Sequence, residues 1–239
     1  MALEQKAYRQ NMIYLVLTGF FVTNAILAEI IGGKLIDIAG YKMSIGVLPW
    51  PVVFIATDLI NEYFGKKGTR RVTLMTAGLI VYAFVILFAA MQVPAWSNSP
   101  VDDAAFTKVF GQSLWIIAGS ITAFLIGQLV DVMAFWKFRD MTGGRMLWLR
   151  ATGSTFISQL VDTFVVWGIV FWLPGKISTA DYISGCFTSY TYKIVVAIAI
   201  TPVIYMAHHA IDRYLGDNAA EELIEEAVRD HVKELGPDE

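Results

Sequence analysis

Apolar positions along this chain neither alternate nor recur on a single helical stripe. They run in unbroken blocks about the length of a membrane-crossing helix, which needs about 20 residues. The blocks predict six helices, over residues 11–31, 44–64, 72–93, 114–136, 151–173 and 182–206. The second is the weakest, because Pro49 and Pro51 interrupt it and its last turn is polar. Proline lacks the N–H that a helix interior uses, so this segment is expected to begin as a short re-entrant or unwound piece. The first block follows Lys6 and Arg9, as in a signal peptide, but no small-x-small cleavage site closes it and five further blocks succeed it. It is read as an uncleaved first helix.

After the sixth block the pattern changes. Asn218 with Glu221 resembles a capping box, Leu223, Ile224, Ala227, Val228, His231 and Leu235 recur at helical spacing, and Gly236-Pro237 is a stop. The division expected is a membrane domain over 1–211 and an acidic helical tail over 212–239. The tail is read as a solvated cytoplasmic helix lying against the body and dispensable for its activity.

Composition agrees with a membrane protein. Of 239 residues, 56% are hydrophobic and 16% charged, with mean hydropathy +0.56. Soluble domains carry about 45–50% apolar and about 25% charged residues. Ordinary Gly and Pro contents exclude collagen and disorder, and the single Cys186 excludes an internal disulfide scaffold. The net charge of −3 divides into +4 over residues 1–211 and −7 over 212–239. No basic stripe with interleaved aromatics is present, so nucleic acid is not an expected partner. Lys and Arg number 13 in the N-terminal segment, residues 65–71, residues 137–150 and the tail, against four in the alternate loops. By the positive-inside rule both termini lie in the cytoplasm. Trp96, Trp115 and Trp172 near the outer ends, with Trp136 and Trp148 near the inner ends, suit interfacial positions.

The candidate chemistry lies in ionisable and amide side chains inside the blocks. A charge at the centre of a span costs about 2.5–3.5 kcal/mol on insertion scales, and each leucine-like residue returns only about 0.3–0.6 kcal/mol. Asn24 and Glu29 occupy the outer half of the first block, and Asp58, Asn61 and Glu62 share one helical face of the second. Gln128 and Asp131 stand three apart in the fourth, and Gln159 and Asp162 repeat that spacing in the fifth. In the sixth, Ser189 and Tyr190 precede Lys193 by about one turn. Residues 126–131 (IGQLVD) echo 157–162 (ISQLVD) at all but one position, the kind of internal repeat that transporters use. Ser120, Thr122, Ser154 and Thr163 are read as interhelical hydrogen-bonding groups. His208 and His209 are read as the solvated end of the last helix.

Five carboxylates and one ammonium favour a partner that offers donors: a proton, a metal ion, an amine or a guanine-like edge. Trp50, Phe54, Tyr63 and Tyr190 supply stacking faces, so a flat polar heterocycle suits the set better than a sugar or a fatty chain.

Three segments carry a resemblance. Ala56-Thr-Asp-Leu-Ile-Asn-Glu-Tyr-Phe-Gly-Lys-Lys67, Ser158-Gln-Leu-Val-Asp-Thr163 and Tyr190-Thr-Tyr-Lys193 resemble the queuosine precursor transporter family, also called the vitamin uptake transporter family. The resemblance spans about residues 10–210 and excludes the tail. It implies an all-α integral membrane fold of six transmembrane helices, similar to the substrate-binding subunits of energy-coupling-factor vitamin transporters. It implies uptake of 7-cyano-7-deazaguanine or 7-aminomethyl-7-deazaguanine for tRNA modification, across a bacterial inner membrane. A deazaguanine's N1–H and exocyclic amine suit a carboxylate, and its carbonyl suits Gln159, Asn61 or Lys193.

Two alternatives stay open: an energy-coupling-factor binding subunit for another small vitamin or nucleobase, and a proton-coupled channel. No HExxH, GxSxG or spanning GxGD marks an enzyme, and neither cofactor nor metal is expected. Without GxxxxGK[ST], ATP-driven transport would need separate energising subunits. Lipid surrounds such a body, and both a homo-oligomer and energising partners are compatible with it.

Overall fold

The computed structural model describes residues 2–38, 41–112, 114–143 and 145–235. Helix α1 (Ala2–Ile31) leads into an antiparallel hairpin of β1 (Leu35–Ile38) and β2 (Tyr41–Ser44), then a 3-10 turn, Ile45–Val47. Next come α2 (Trp50–Met91), a short α3 (Asp103–Phe110), α4 (Leu114–Thr142) and α5 (Leu147–Trp167). A π-helical turn, Gly168–Trp172, extends α5 and is followed by α6 (Thr179–Leu215) and α7 (Asp217–Leu235).

Among the described residues, five stretches are long and apolar enough to cross a membrane, and the second divides into two. At Gly65, α2 adopts φ 66° and ψ −173°, a combination open essentially to glycine. The chain folds back there. Thr69 Oγ1 donates to Asn61 Oδ1 at 2.8 Å, although eight residues of straight helix would separate them by about 12 Å. Val53, Ala56 and Ile60 share one core cluster with Val72, Ala77, Ile80 and Phe84. Arms 50–64 and 66–91 are therefore antiparallel neighbours, and the expected six helices are present in an all-α membrane body that carries one small hairpin.

Several boundaries differ from expectation. The second helix starts at Trp50 rather than at residue 44, because β2 and the 3-10 turn occupy 41–47 and Pro49 and Pro51 sit at the helix start. This is the non-helical lead-in the prolines implied. The sixth helix continues nine residues past 206. Helix α7 opens at Asp217, so Asn218 lies in its first turn; Gly216, at φ 88°, makes the break from α6. Gly236 and Pro237 lie outside the described residues.

Arm 50–64, which carries Asp58, Asn61 and Glu62, is the most enclosed of the apolar helices. Residues 56–63 are all buried, packed by α1, arm 66–91 and α4 on one side and by α6 and α7 on another. Polar side chains survive there because protein, not lipid, surrounds them. Large apolar side chains such as Leu15, Phe20, Val85, Leu129, Phe187 and Val195 point outward instead.

The two ends of the bundle are distinct. Gly65, the end of α4, the start of α1 and the end of α6 gather under α7, through Gly65–Ala227, Asp140–His231, Lys6–Glu222 and Arg9–Tyr214 contacts. At the opposite end, Gln112 donates to the carbonyl of Glu29, and Trp115 donates to the carbonyl of Ile169. Helix α7 buries Ala220, Leu223, Ala227 and His231 against the body. Lys67 lies 2.9 Å from Asp230 and holds that carboxyl below the usual aspartate range.

Candidate substrate site

A narrow crevice lies between arm 50–64, α4 and α5, its free interior about 10 Å³, roughly the space of one water molecule. Trp50, Phe54 and Phe124 form one wall, with Trp50 stacked on Phe54 at 5.9 Å and 6.0 Å from Phe124. Gln128, Asp131, Ser158, Gln159 and Asp162 form the polar wall. Thus both Gln/Asp pairs of the repeated hexapeptide face one space, because a three-residue step keeps each pair on one face of its helix.

The single mismatch between the hexapeptides sets the difference between the two acids. Ser158, at the mismatched position of α5, donates to Asp131 Oδ1 at 2.9 Å. Gly127, its counterpart in α4, lies against Asp162: a Cβ there would sit 3.3 Å from Asp162 Cβ. Each mismatched residue contacts the aspartate of the other helix. A hydroxyl donor serves Asp131, whereas the glycine offers Asp162 close packing and no side-chain donor. Lys193 from α6 fills that role, donating to Asp162 Oδ2 at 2.6 Å. This pair is only partly enclosed, with side-chain exposures of 17% and 18%.

Other expected residues lie elsewhere. Glu29 is buried beside the crevice, where Ser120 donates to both its oxygens at 2.7–2.8 Å and the charge of Asp162 acts on it. Asn24 donates to the carbonyl of Phe20 on its own helix and does not line the crevice. Asn61 serves the chain reversal by accepting from Thr69. Tyr190 donates to the carbonyl of Phe156 and ties α6 to α5. Tyr63, expected as a stacking face, donates instead to Asp212 Oδ1 at 2.6 Å beneath α7.

Glu62 is clasped rather than open. Arg150 donates to its two oxygens at 2.7 and 2.8 Å, and Arg139 lies 2.9 Å from Oε2. Both arginines counted as loop charges in the orientation argument, yet Arg150 is 4% exposed. With these two set aside, the asymmetry is 11 against four and its direction stands. Their signal in the sequence was the deep Glu62 itself, since a buried carboxylate needs a cation, and these arginines lie at the helix ends that meet its level. Phe124 carried no signal beyond an apolar run.

Asp58 lies one helical turn from Glu62, and the charge of Asp131 acts on it. It is 2% exposed, and neither carboxyl oxygen hydrogen-bonds to any described residue. Thr57, its neighbour, donates to the carbonyl of Val53 at 2.9 Å, with Gln128 Oε1 of the crevice 3.4 Å away.

Residues 44–207 match the family described as “Putative vitamin uptake transporter”. The chain belongs to this family. The match takes in arm 50–64, every crevice residue and Lys193, and leaves out α1 and α7. Among relatives, a “Probable queuosine precursor transporter” of Bacillus subtilis (strain 168) is 32% identical over 182 residues, covering 74% of this chain and 77% of that protein. The “Queuosine precursor transporter” of Escherichia coli (strain K12) is 27% identical over 174 residues, or 71% and 74% of the two chains. A “Probable queuosine precursor transporter” of Haemophilus influenzae (strain ATCC 51907 / DSM 11121 / KW20 / Rd) is 26% identical over 159 residues, or 65% and 63%. No solved structure matches the chain. As a vitamin uptake transporter family member with six apolar helical segments, it is a multi-pass membrane protein that acts on a small molecule.

Proposed function

We propose that the chain imports a queuosine precursor, 7-cyano-7-deazaguanine or 7-aminomethyl-7-deazaguanine, and that the crevice between arm 50–64, α4 and α5 receives it. The observation that carries this reading is the meeting of two Gln/Asp pairs with an aromatic wall in one crevice of a family member. A deazaguanine is flat, so one face suits Trp50 and Phe124. Its N1–H and exocyclic amine form an adjacent donor pair, which an acceptor-only carboxylate takes in bidentate fashion. Asp131 is assigned that edge, because Asp162 is already neutralised by Lys193. Gln128 and Gln159, able to donate and accept, serve the carbonyl and ring nitrogens. Adenine presents the opposite donor pattern at that edge and leaves Asp131 unpaired, which is strongly disfavoured in a buried site.

The chain moves its substrate without chemical change and sits with both termini in the cytoplasm, as the basic-loop asymmetry supports. The α7 end of the bundle is then cytoplasmic. Glu62, Asn61, Asn24 and Tyr190 support the framework, while Glu29 and Lys193 set the charge balance around Asp162. The testing experiment is equilibrium binding of both precursors to purified chain, with adenine and guanine as competitors. Saturable binding of a deazaguanine, competed by guanine and not by adenine, is the expected result. Equal competition by adenine removes the carboxylate-edge assignment.

A further inference from the structure

We propose that Asp58 is a proton-binding residue whose proton is linked to substrate at Asp131, so that a precursor enters together with a proton. The proposal rests on the reading of the crevice given above. Asp58 is buried with both oxygens unpartnered by any described residue, a condition that an ionised carboxylate in a protein interior does not sustain. Among the described residues, the charges acting on it are Glu62 of its own helix and Asp131 of α4, both negative, and Arg150 of α5, positive. Arg150 donates through Nε and Nη2 to the two oxygens of Glu62, and Arg139 of α4 lies 2.9 Å from the same carboxylate. From α6, Lys193 is held by Asp162, and His208 with Asp212 engages Tyr63. Among the described residues, no group of three His, Cys, Asp or Glu side chains is arranged to hold a metal ion. A proton is the ligand that remains for Asp58.

The coupling follows from its neighbour. Asp131 lines the crevice, already accepts from Ser158, and serves a substrate's donors only while ionised. A second negative charge on Asp58 opposes that state, and a proton on Asp58 relieves it. By reciprocity, bound substrate favours the protonated Asp58 as much as the proton favours substrate. One O–H bond forms at Asp58 on loading and breaks on release, and no other bond changes.

The test is the pH profile of 7-cyano-7-deazaguanine binding to purified full-length chain. Wild type should bind up to about tenfold more tightly for each unit of acidification while one proton is linked. Asp58→Asn, which mimics the protonated acid, should lose the acid-driven tightening over the range in which Asp131 stays ionised, and Asp58→Glu should keep the slope. A flat wild-type profile, or an unchanged slope in Asp58→Asn, overturns the proposal. Infrared spectra of the unsubstituted chain give a second measurement that needs neither substrate nor a variant's folding. A carbonyl stretch of a buried protonated carboxyl that titrates with pH is expected, and its absence at every pH overturns the assignment. Failure of the wild type to bind any deazaguanine would refute the substrate reading, while absence of the carboxyl band would still, by itself, overturn the proton on Asp58.

Discussion

Replacing Arg150 by glutamine removes two charge-assisted hydrogen bonds, at 2.7 and 2.8 Å, from a carboxylate that is 2% exposed. Arg139 remains at 2.9 Å, but one guanidinium at one oxygen leaves the other without its donor. Breaking a buried pair from one side costs about 3–5 kcal/mol, because the surviving charge is stranded. At about 2–4 °C per kcal/mol for a chain of this length, the thermal midpoint should fall by about 6–20 °C. Heating detergent-solubilised protein and following the monodisperse fraction by fluorescence-detected size exclusion measures it. Glu62→Gln strands two arginines instead and should cost a similar amount. The double variant Glu62→Gln/Arg150→Gln should be much less destabilised than the sum, since its second change removes a charge already unpaired. Where the single variants remain folded, precursor affinity at a pH that keeps Asp58 protonated should stay near wild type, because Glu62 does not line the crevice and reaches it only through the charge balance at Asp58. An unshifted midpoint in Arg150→Gln would refute the clasp. Lost affinity in a fully stable Glu62→Gln would return Glu62 to the site.

Other expectations follow from the same geometry. Asp131→Asn replaces an acceptor with an amide donor opposite the substrate's donors, and a charged hydrogen bond is worth about 1.5–3 kcal/mol, so affinity should fall about 10- to 150-fold by direct titration. Gly65→Ala forces a side chain into φ 66° against Ala227, so it should cost about 1–3 kcal/mol and lower the yield of folded, membrane-inserted protein. Truncation after Tyr214 should leave uptake intact but lower thermal stability, because Leu59, Tyr63 and Trp136 lose the cover of α7; abolished uptake at normal membrane abundance would show that the tail serves transport. The Lys67–Asp230 pair holds the Asp230 carboxyl low, so its contribution is present above the ordinary aspartate value, about 3.9, and is lost as pH falls through the lower folded value. Protease cleavage within α7 should accelerate in that acid window, and less so in Asp230→Asn. With Cys186 buried, an impermeant thiol reagent added outside should label Lys108→Cys and spare Lys67→Cys; the reverse pattern would invert the orientation.

The helices were legible because membrane-length apolar runs leave few alternatives, and the prolines at 49 and 51 marked an irregular entry that became a hairpin and a 3-10 turn. The central placement of arm 50–64 was less legible. Its prolines and polar last turn made it the weakest segment, yet those polar side chains are tolerated because protein encloses residues 56–63. The repeated Gln/Asp spacing correctly brought Gln128, Asp131, Gln159 and Asp162 to one crevice, since both pairs lie on single helical faces. Side-chain partners across long sequence distances were out of reach. Glu62 and Asp58 share a face, but whether each meets a cation depends on where α4 and α5 deliver Arg139 and Arg150, 77 and 88 residues beyond Glu62. The loop-charge count treated both arginines as solvated, and only tertiary packing shows otherwise.

The central claim is that this chain carries a deazaguanine through the crevice lined by Asp131 and Asp162. Counterflow in proteoliposomes containing only this chain tests it most directly: vesicles loaded with unlabelled 7-cyano-7-deazaguanine are diluted into labelled compound. The expected result is a transient overshoot of internal label that unlabelled 7-aminomethyl-7-deazaguanine suppresses and that Asp131→Asn loses. Label entering wild-type vesicles no faster than protein-free ones, or an undiminished overshoot in Asp131→Asn, would contradict it.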